Sequence, residues 1–190
     1  MKTFIASLGA LLLLAFSASA QNAPPPNSAA QTGNAVSAAV QKLVGTMSKN
    51  IVAGAEEMPP DKYDFRPTPA QNTFGHLVVH MITANDFFCS AMSAAPMPAM
   101  PVAKDDDPKD ALVAKLKTSF DLCTGAVAKL EDSKLEDPVN MGRGSMPLGA
   151  MIVTFTQDYG DHYAQESGYL RAAGLLPPTA TPRPAQPPSQ

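Results

Sequence analysis

The feature that most constrains this chain is an unbroken amphipathic segment near its C-terminal end. From Leu148 to Gly174, the residues Leu148, Ile152, Phe155, Tyr159, His162, Glu166, Tyr169 and Ala173 recur at three- and four-residue steps. At about 100° per residue these positions fall on one stripe, so the segment reads as a single long helix. Such a helix can bury its stripe only against other elements. The stripe is apolar except at His162 and Glu166, one turn apart, with Asp158 one turn before His162 at its edge. Titratable groups on a buried face need partners, because leaving them unpaired costs kilocalories. Those partners are expected on a facing helix.

Prolines divide the rest of the chain. Val36, Val40, Leu43, Val44, Met47, Ile51 and Met58 give a first helix, stopped by Pro59 and Pro60. Residues 61–69 are too proline-rich for a helix and form a loop. A second helix runs from about residue 72 to 94, and Pro96, Pro98 and Pro101 then enforce an extended linker carrying Met97 and Met100. Pro108 is expected in the first turn of a third helix, capped by Asp107 and buried through Leu112, Leu116, Phe120, Cys123, Val127 and Leu130. A turn at 142–145 leads into the fourth helix, which ends at Gly174 before Pro177. Strand-like alternation is missing throughout. Four amphipathic helices bury their faces most economically against one another, so the expected fold is an all-α four-helix bundle spanning residues 35–176.

The two ends read differently. Lys2, the apolar run Ile5 to Phe16 and the small residues Ala18-Ser19-Ala20 form a secretory signal, residues 1–20, with cleavage leaving Gln21 first. The apolar run is too short to span a bilayer. The mature chain is therefore expected in the periplasm or outside the cell, without a membrane anchor. Of the 19 prolines, nine lie in the leader 21–34 and the tail 177–190, which are expected to be disordered. The formal net charge of -3, one unit more negative once Lys2 is removed, supplies no basic patch for nucleic acid.

His76 and His80 lie one turn apart on the second helix. On a 100° step His80 falls inside the apolar arc and His76 on its rim. The chain has three histidines, and all three point towards one cavity between the second and fourth helices. Imidazoles and carboxylates from facing helices are the groups from which bundle metal sites are built. The plainer reading of each is a hydrogen-bonded core histidine, with Glu166 paired to Arg171 and Asp158 at a solvated rim. Convergence of the three is the argument for a divalent metal held by His80, His162, Asp158 and His76.

At this point the residues resemble a known family. Met58-Pro-Pro-Asp-Lys-Tyr-Asp-Phe-Arg-Pro-Thr-Pro69, Thr73-Phe-Gly-His-Leu-Val-Val-His80 and Asn85-Asp-Phe-Phe-Cys-Ser90 are similar to segments of the DinB/YfiT-like superfamily. So are His162-Tyr-Ala-Gln165 and Tyr169-Leu-Arg-Ala-Ala-Gly-Leu-Leu-Pro-Pro178. The resemblance covers nearly the whole core. It implies an up-down-down-up bundle with a divalent metal held by three histidines, one on the second helix and a His-xxx-His pair on the last. His80 matches the first and His162 the last of these. The remaining position holds Asp158, a departure that changes the metal preference among zinc, nickel, manganese and iron or degrades the site. His76 then becomes a compensating ligand or a base, and Glu166 a catalytic base or a fourth ligand. The activities implied are thiol S-transfer, isomerisation and hydrolysis on a small-molecule substrate, with a homodimer as an expected assembly. The competing class is a non-catalytic exported bundle that sequesters metal or holds a satisfied polar network.

Cys89 and Cys123 lie on the second and third helices. In an exported protein they are expected to pair, although Cys89 points off the apolar arc judged from sequence. The alternative is two small buried thiols.

Overall fold

Each amphipathic segment found in the sequence is a helix. The computed structural model describes residues 33–98 and 102–180. The helices are α1 (Ala35–Glu57), α2 (Phe74–Ser93), α3 (Lys109–Val127) and α4 (Leu148–Ala172). The expected signal segment and most of the expected leader and tail, with residues 99–101 of the linker, lie outside the described residues. Among those described, no helix is long and apolar enough to cross a membrane.

Side-chain pairings set the helix directions. Asn85 bonds Ser119 and Cys89 is joined to Cys123, so α2 and α3 advance together and are parallel. Gln41 bonds the Val127 carbonyl while Glu56 pairs with Lys117, so α1 and α3 are antiparallel. The starts of α1 and α4 meet the same stretch, through Asp132 at Val36 and Leu135 at Gly149. The bundle is thus up-down-down-up, and the α2–α3 connection must travel back along its full height. The prolines suit that task, since an extended crossover cannot be allowed to coil.

The core is one cluster of apolar side chains, with Phe74, Phe120, Phe155 and Tyr159 among the largest fully buried. A polar set lies inside it. The Tyr159 hydroxyl donates to Asn85 Oδ1 at 2.8 Å, Asn85 Nδ2 donates to Ser119 Oγ at 3.0 Å, and Ser119 Oγ donates to the Leu116 carbonyl at 2.8 Å. Three helices are therefore tied together at one level by satisfied buried hydrogen bonds.

Several local expectations need correction. Pro138–Asn140 and Ser145–Pro147 pair as a short antiparallel hairpin, β1 and β2, with Val139 opposite Met146. Three-residue strands are too brief to register as alternation, and the turn relies on Gly142, whose φ of +80° favours glycine. Asp107 does not cap α3. Pro108 occupies the N-cap, and the Asp107 carboxylate instead accepts from Lys104 N and pairs with Lys115 at 2.6 Å. The start of α1 is capped from a distance: Asp132 accepts from Val36 N, Ser37 N and Ser37 Oγ, and the Ser37 hydroxyl foremost holds its carboxyl below the usual range. Asn34, assigned to the leader, joins this cap by accepting from Asp132 N. Pro178–Ala180 form a 3-10 turn whose Thr179 exchanges hydrogen bonds with the Tyr163 hydroxyl, so the tail's first residues are tied to α4. At the other end of α4, Gly174 follows the helix at φ +83° as expected.

Cys89 and Cys123 form a disulfide, and both are fully buried. Closing a loop of sequence separation 34 restricts the unfolded chain, which stabilises by about 3–4 kcal/mol in the chain-entropy account. Replacing both cysteines by alanine should lower the free energy of unfolding by about that amount in urea titrations. Thiol titration of denatured, unreduced protein should find no free thiol. Two free thiols per chain would contradict the pairing.

Candidate metal centre

The site is built where the first two turns of α2 face the second half of α4. Thr73 caps α2 by accepting from His76 N at 3.1 Å, which starts the helix at Phe74, two residues before His76, and fixes the angular position of both histidines. The loop above is pinned to it. Phe74 N bonds the Phe65 carbonyl, Gly75 N bonds the Tyr63 carbonyl, and the Tyr169 hydroxyl of α4 donates to the Asn72 carbonyl at 2.8 Å. At Gly75 a Cβ would stand 2.8 Å from the Asp105 carbonyl oxygen, so only glycine lets the crossover approach.

Across the gap, the rings of His80 and His162 stack with centroids 4.5 Å apart. Asp158 completes a group whose ligand atoms all lie within 4.8 Å of one another. The His162 side chain is 11% exposed, and its Nδ1 lies 2.7 Å from the Asp158 backbone carbonyl. A carbonyl only accepts, so Nδ1 carries a proton, and in the neutral imidazole the lone pair is on Nε2. Asp158 Oδ1 stands 3.3 Å from the same Nδ1. Burial, and next the neighbouring His162, hold the His80 imidazole below its usual pKa. A neutral imidazole is the ligating form.

His80 is nevertheless exposed, at the mouth of the cleft rather than inside the core. The arc inferred from sequence was turned too far. It was judged from Leu77, Ala84 and Phe88, whereas α2 also buries Asn85, Asp86, Cys89 and Ser90. Including those residues moves the arc's centre to between Val78 and Cys89, roughly 170° from His80 on a 100° step. His80 thus lies off the buried arc, where it meets His162 of α4.

His76 lies outside the three-residue group. Its Nδ1 donates to Asp105 Oδ2 at 2.9 Å, and the side chain is 41% exposed. It does line the same cavity, of about 320 Å³, with His80, His162, Gln71, Gln165 and Tyr169. Glu166 lines neither. It is 3% exposed, packed towards α1, where a Cβ on Gly54 would come within 2.6 Å of its carboxyl carbon. Its Oε2 has no hydrogen-bond partner, and burial raises its pKa well above the usual carboxylate value. Arg171, the alternative partner considered from sequence, bonds the Ser167 carbonyl instead. The residues that sequence reasoning passed over are Asp105, which orients His76, and Asn85, which was quoted only as part of a motif. Gly75 beside a proline-rich crossover was the available signal for the first.

The sequence pattern described as the DinB superfamily matches residues 44–165, most of the bundle. This chain belongs to the DinB superfamily. A DinB-like protein from Bacillus subtilis is similar in structure with a TM-score of 0.60 at 16% identity, covering 73% of this chain and 93% of that one. A DinB-like protein from Bacillus cereus gives 0.61 at 15% identity over 73% and 93%. A conserved protein from Enterococcus faecalis gives 0.59 at 13% identity over 72% and 96%. At those identities the likeness shows the shared fold alone. No curated protein matches the chain.

The donor chemistry of this DinB bundle fits a divalent metal. Two imidazoles with an available nitrogen and one carboxylate form a borderline donor set suited to zinc, nickel, manganese or iron. Tetrahedral zinc bonds of about 2.0–2.2 Å place ligand atoms roughly 3.4 Å apart, so the three side chains would rotate inwards to close on an ion.

Glu166 yields a prediction of its own. A folded-state pKa raised above the unfolded value of 4.5 means the native state holds the proton more tightly. Its contribution is complete below that value and declines as pH rises. Glu166→Gln should flatten the fall in melting temperature between pH 5 and 8 and stabilise the protein at pH 8 by about 1–3 kcal/mol. An unchanged slope would show that Glu166 does not hold a proton in the folded state.

Proposed function

We propose that this is an exported DinB-superfamily metalloprotein, acting as a hydrolase or thiol S-transferase on a small-molecule substrate. The observation that carries it is the convergence of His80, Asp158 and His162 from two helices, with both histidines lining one cavity. Export rests on the leader pattern of residues 2–20. In this reading His80, His162 and Asp158 hold one divalent ion. A bound ion of this kind supplies Lewis acidity and lowers the pKa of a coordinated water or thiol.

The rest is performed by the chain's own groups. The Asp158 carbonyl sets the His162 tautomer, the arrangement by which metal-binding histidines are commonly oriented. Gln71, Asn72 and Gln165 line the cavity with neutral amides, which suits a polar, uncharged part of a substrate. Asp105 accepts a hydrogen bond from Nδ1–H of His76, so that in the neutral imidazole Nε2 is the proton acceptor of this cavity-lining residue. His76 rather than Glu166 therefore takes the base role, because Glu166 is sealed against α1.

Calorimetry with zinc, nickel and manganese should find one site per chain, with a rise in melting temperature, since a ligand bound only by the native state stabilises it. His80→Ala and His162→Ala should each weaken binding by at least about 100-fold, and His76→Ala by less than about tenfold. Absence of binding for all three metals near neutral pH would overturn the reading.

The pH dependence follows from the lowered His80 pKa. Protons compete with metal only where the imidazole can charge, and that range lies below the usual 6.5. Affinity should hold from pH 8 to 6.5 and fall below it. Asp158→His adds an imidazole in place of a carboxylate, so the fall should become steeper and zinc or nickel binding tighter. If that variant changes neither affinity nor proton release, residue 158 takes no part in binding.

A further inference from the structure

A second, larger cavity lies at the opposite end of α2 from the histidines. It has a volume of about 650 Å³ and is formed by the last turns of α2, the β1–β2 hairpin and the start of α4. Its apolar lining includes Phe87, Met92, Met97, Met141 and Leu148. Three methionines are apt for such a wall, because flexible thioether side chains adapt to irregular apolar shapes.

Of the polar lining residues, Lys134, Asp137 and Asn140 are exposed, and Ser90 is the one that is buried. Ser90 is 1% exposed, and its Oγ has no hydrogen-bond partner. Several helical hydroxyls elsewhere among the described residues avoid that situation by bonding back to the carbonyl four residues earlier. Thr83, Ser93, Thr118, Thr154 and Thr156 all do so. Ser90 could use the same device and does not, so its hydroxyl stays free in the cavity wall. A buried hydroxyl left unpaired is destabilising, and a ligand atom bonded to it would remove that cost. One turn earlier, Asp86 is also buried with Oδ2 unpartnered, and burial raises its pKa, which favours the neutral carboxyl. The one lysine among the lining residues, Lys134, pairs with Glu131. The buried end of the cavity thus presents the neutral Ser90 hydroxyl and no free cation.

We infer that this cavity is a binding site for a small, mainly apolar molecule carrying one neutral hydrogen-bonding head. The apolar body lies among the three methionines, and the head meets Ser90. An anionic head is disfavoured, since nothing at the buried end would balance it. The site is separate from the histidine cleft, and neither depends on the other.

The test uses the full chain with methyl-labelled methionine and three probes of one shape: 2-naphthol, naphthalene and 2-naphthoate. Titration with 2-naphthol should shift the methyl resonances of Met92, Met97 and Met141 and leave those of the buried Met58 and Met81 in place. It should bind about fivefold or more tightly than naphthalene, the span one neutral hydrogen bond commonly provides, and 2-naphthoate should bind weakest. Ser90→Ala should abolish the preference for 2-naphthol while retaining naphthalene. Ala91→Phe, which fills the cavity from its wall, should abolish both without lowering the melting temperature, and His80→Ala should change neither. Failure of all three methionines to respond at probe saturation would overturn the proposal. So would equal affinity for the three probes, or loss of binding in His80→Ala with retention in Ala91→Phe.

Discussion

The hydrogen bonds that meet at Asn85 set the register on which the bundle depends. An amide buried among apolar side chains must have partners, and here they come from two other helices, Tyr159 on α4 and Ser119 on α3. Sliding α4 by one turn against α2 would break the Tyr159 bond and strand the amide. Apolar packing alone tolerates such slips better than a buried polar network does. The disulfide one turn beyond Asn85 holds the same level between α2 and α3. Asp158 adjoins Tyr159, and His162 follows it by three residues. The bond that positions Tyr159 thereby brings His162 opposite His80.

Much of this fold could be read from the chain because its signals are local. Proline placement separates the four helices, and the period of Leu148 to Ala173 identifies α4 without any tertiary information. The disulfide was legible from the number of cysteines and the expected compartment. What stayed hidden depends on contacts distant in sequence. Asp132 caps a helix that begins about a hundred residues earlier, and no local pattern announces that. The buried arc of α2 was misjudged because Asn85, Asp86 and Ser90 are polar, and an apolar pattern assigns polar residues to the surface. The hairpin was invisible because its strands are too short to show a period.

The site divides along the same line. His80, Asp158 and His162 were identifiable as a group, since a helical period puts Asp158 and His162 on one edge and a family resemblance pairs them with His80. Glu166 was grouped with them because it follows His162 by one turn. Yet four residues on a helix leave two side chains about 40° apart, enough for α4 to turn His162 towards α2 and Glu166 towards α1. Gly54 is the residue that decides this, because only a position without a side chain admits the carboxyl. His76 was placed by its spacing from His80; Asp105 holds its Nδ1 at the crossover, outside the ligand group, while the residue still lines the cavity.

The most direct measurement is anomalous diffraction at the zinc absorption edge from crystals of zinc-loaded protein. One peak per chain should appear within bonding distance of His80, Asp158 and His162, with the His162 Nδ1 bond to the Asp158 carbonyl retained. A peak elsewhere, for instance at the acidic crossover of Asp105, Asp106 and Asp107, or no peak at all, would contradict the account.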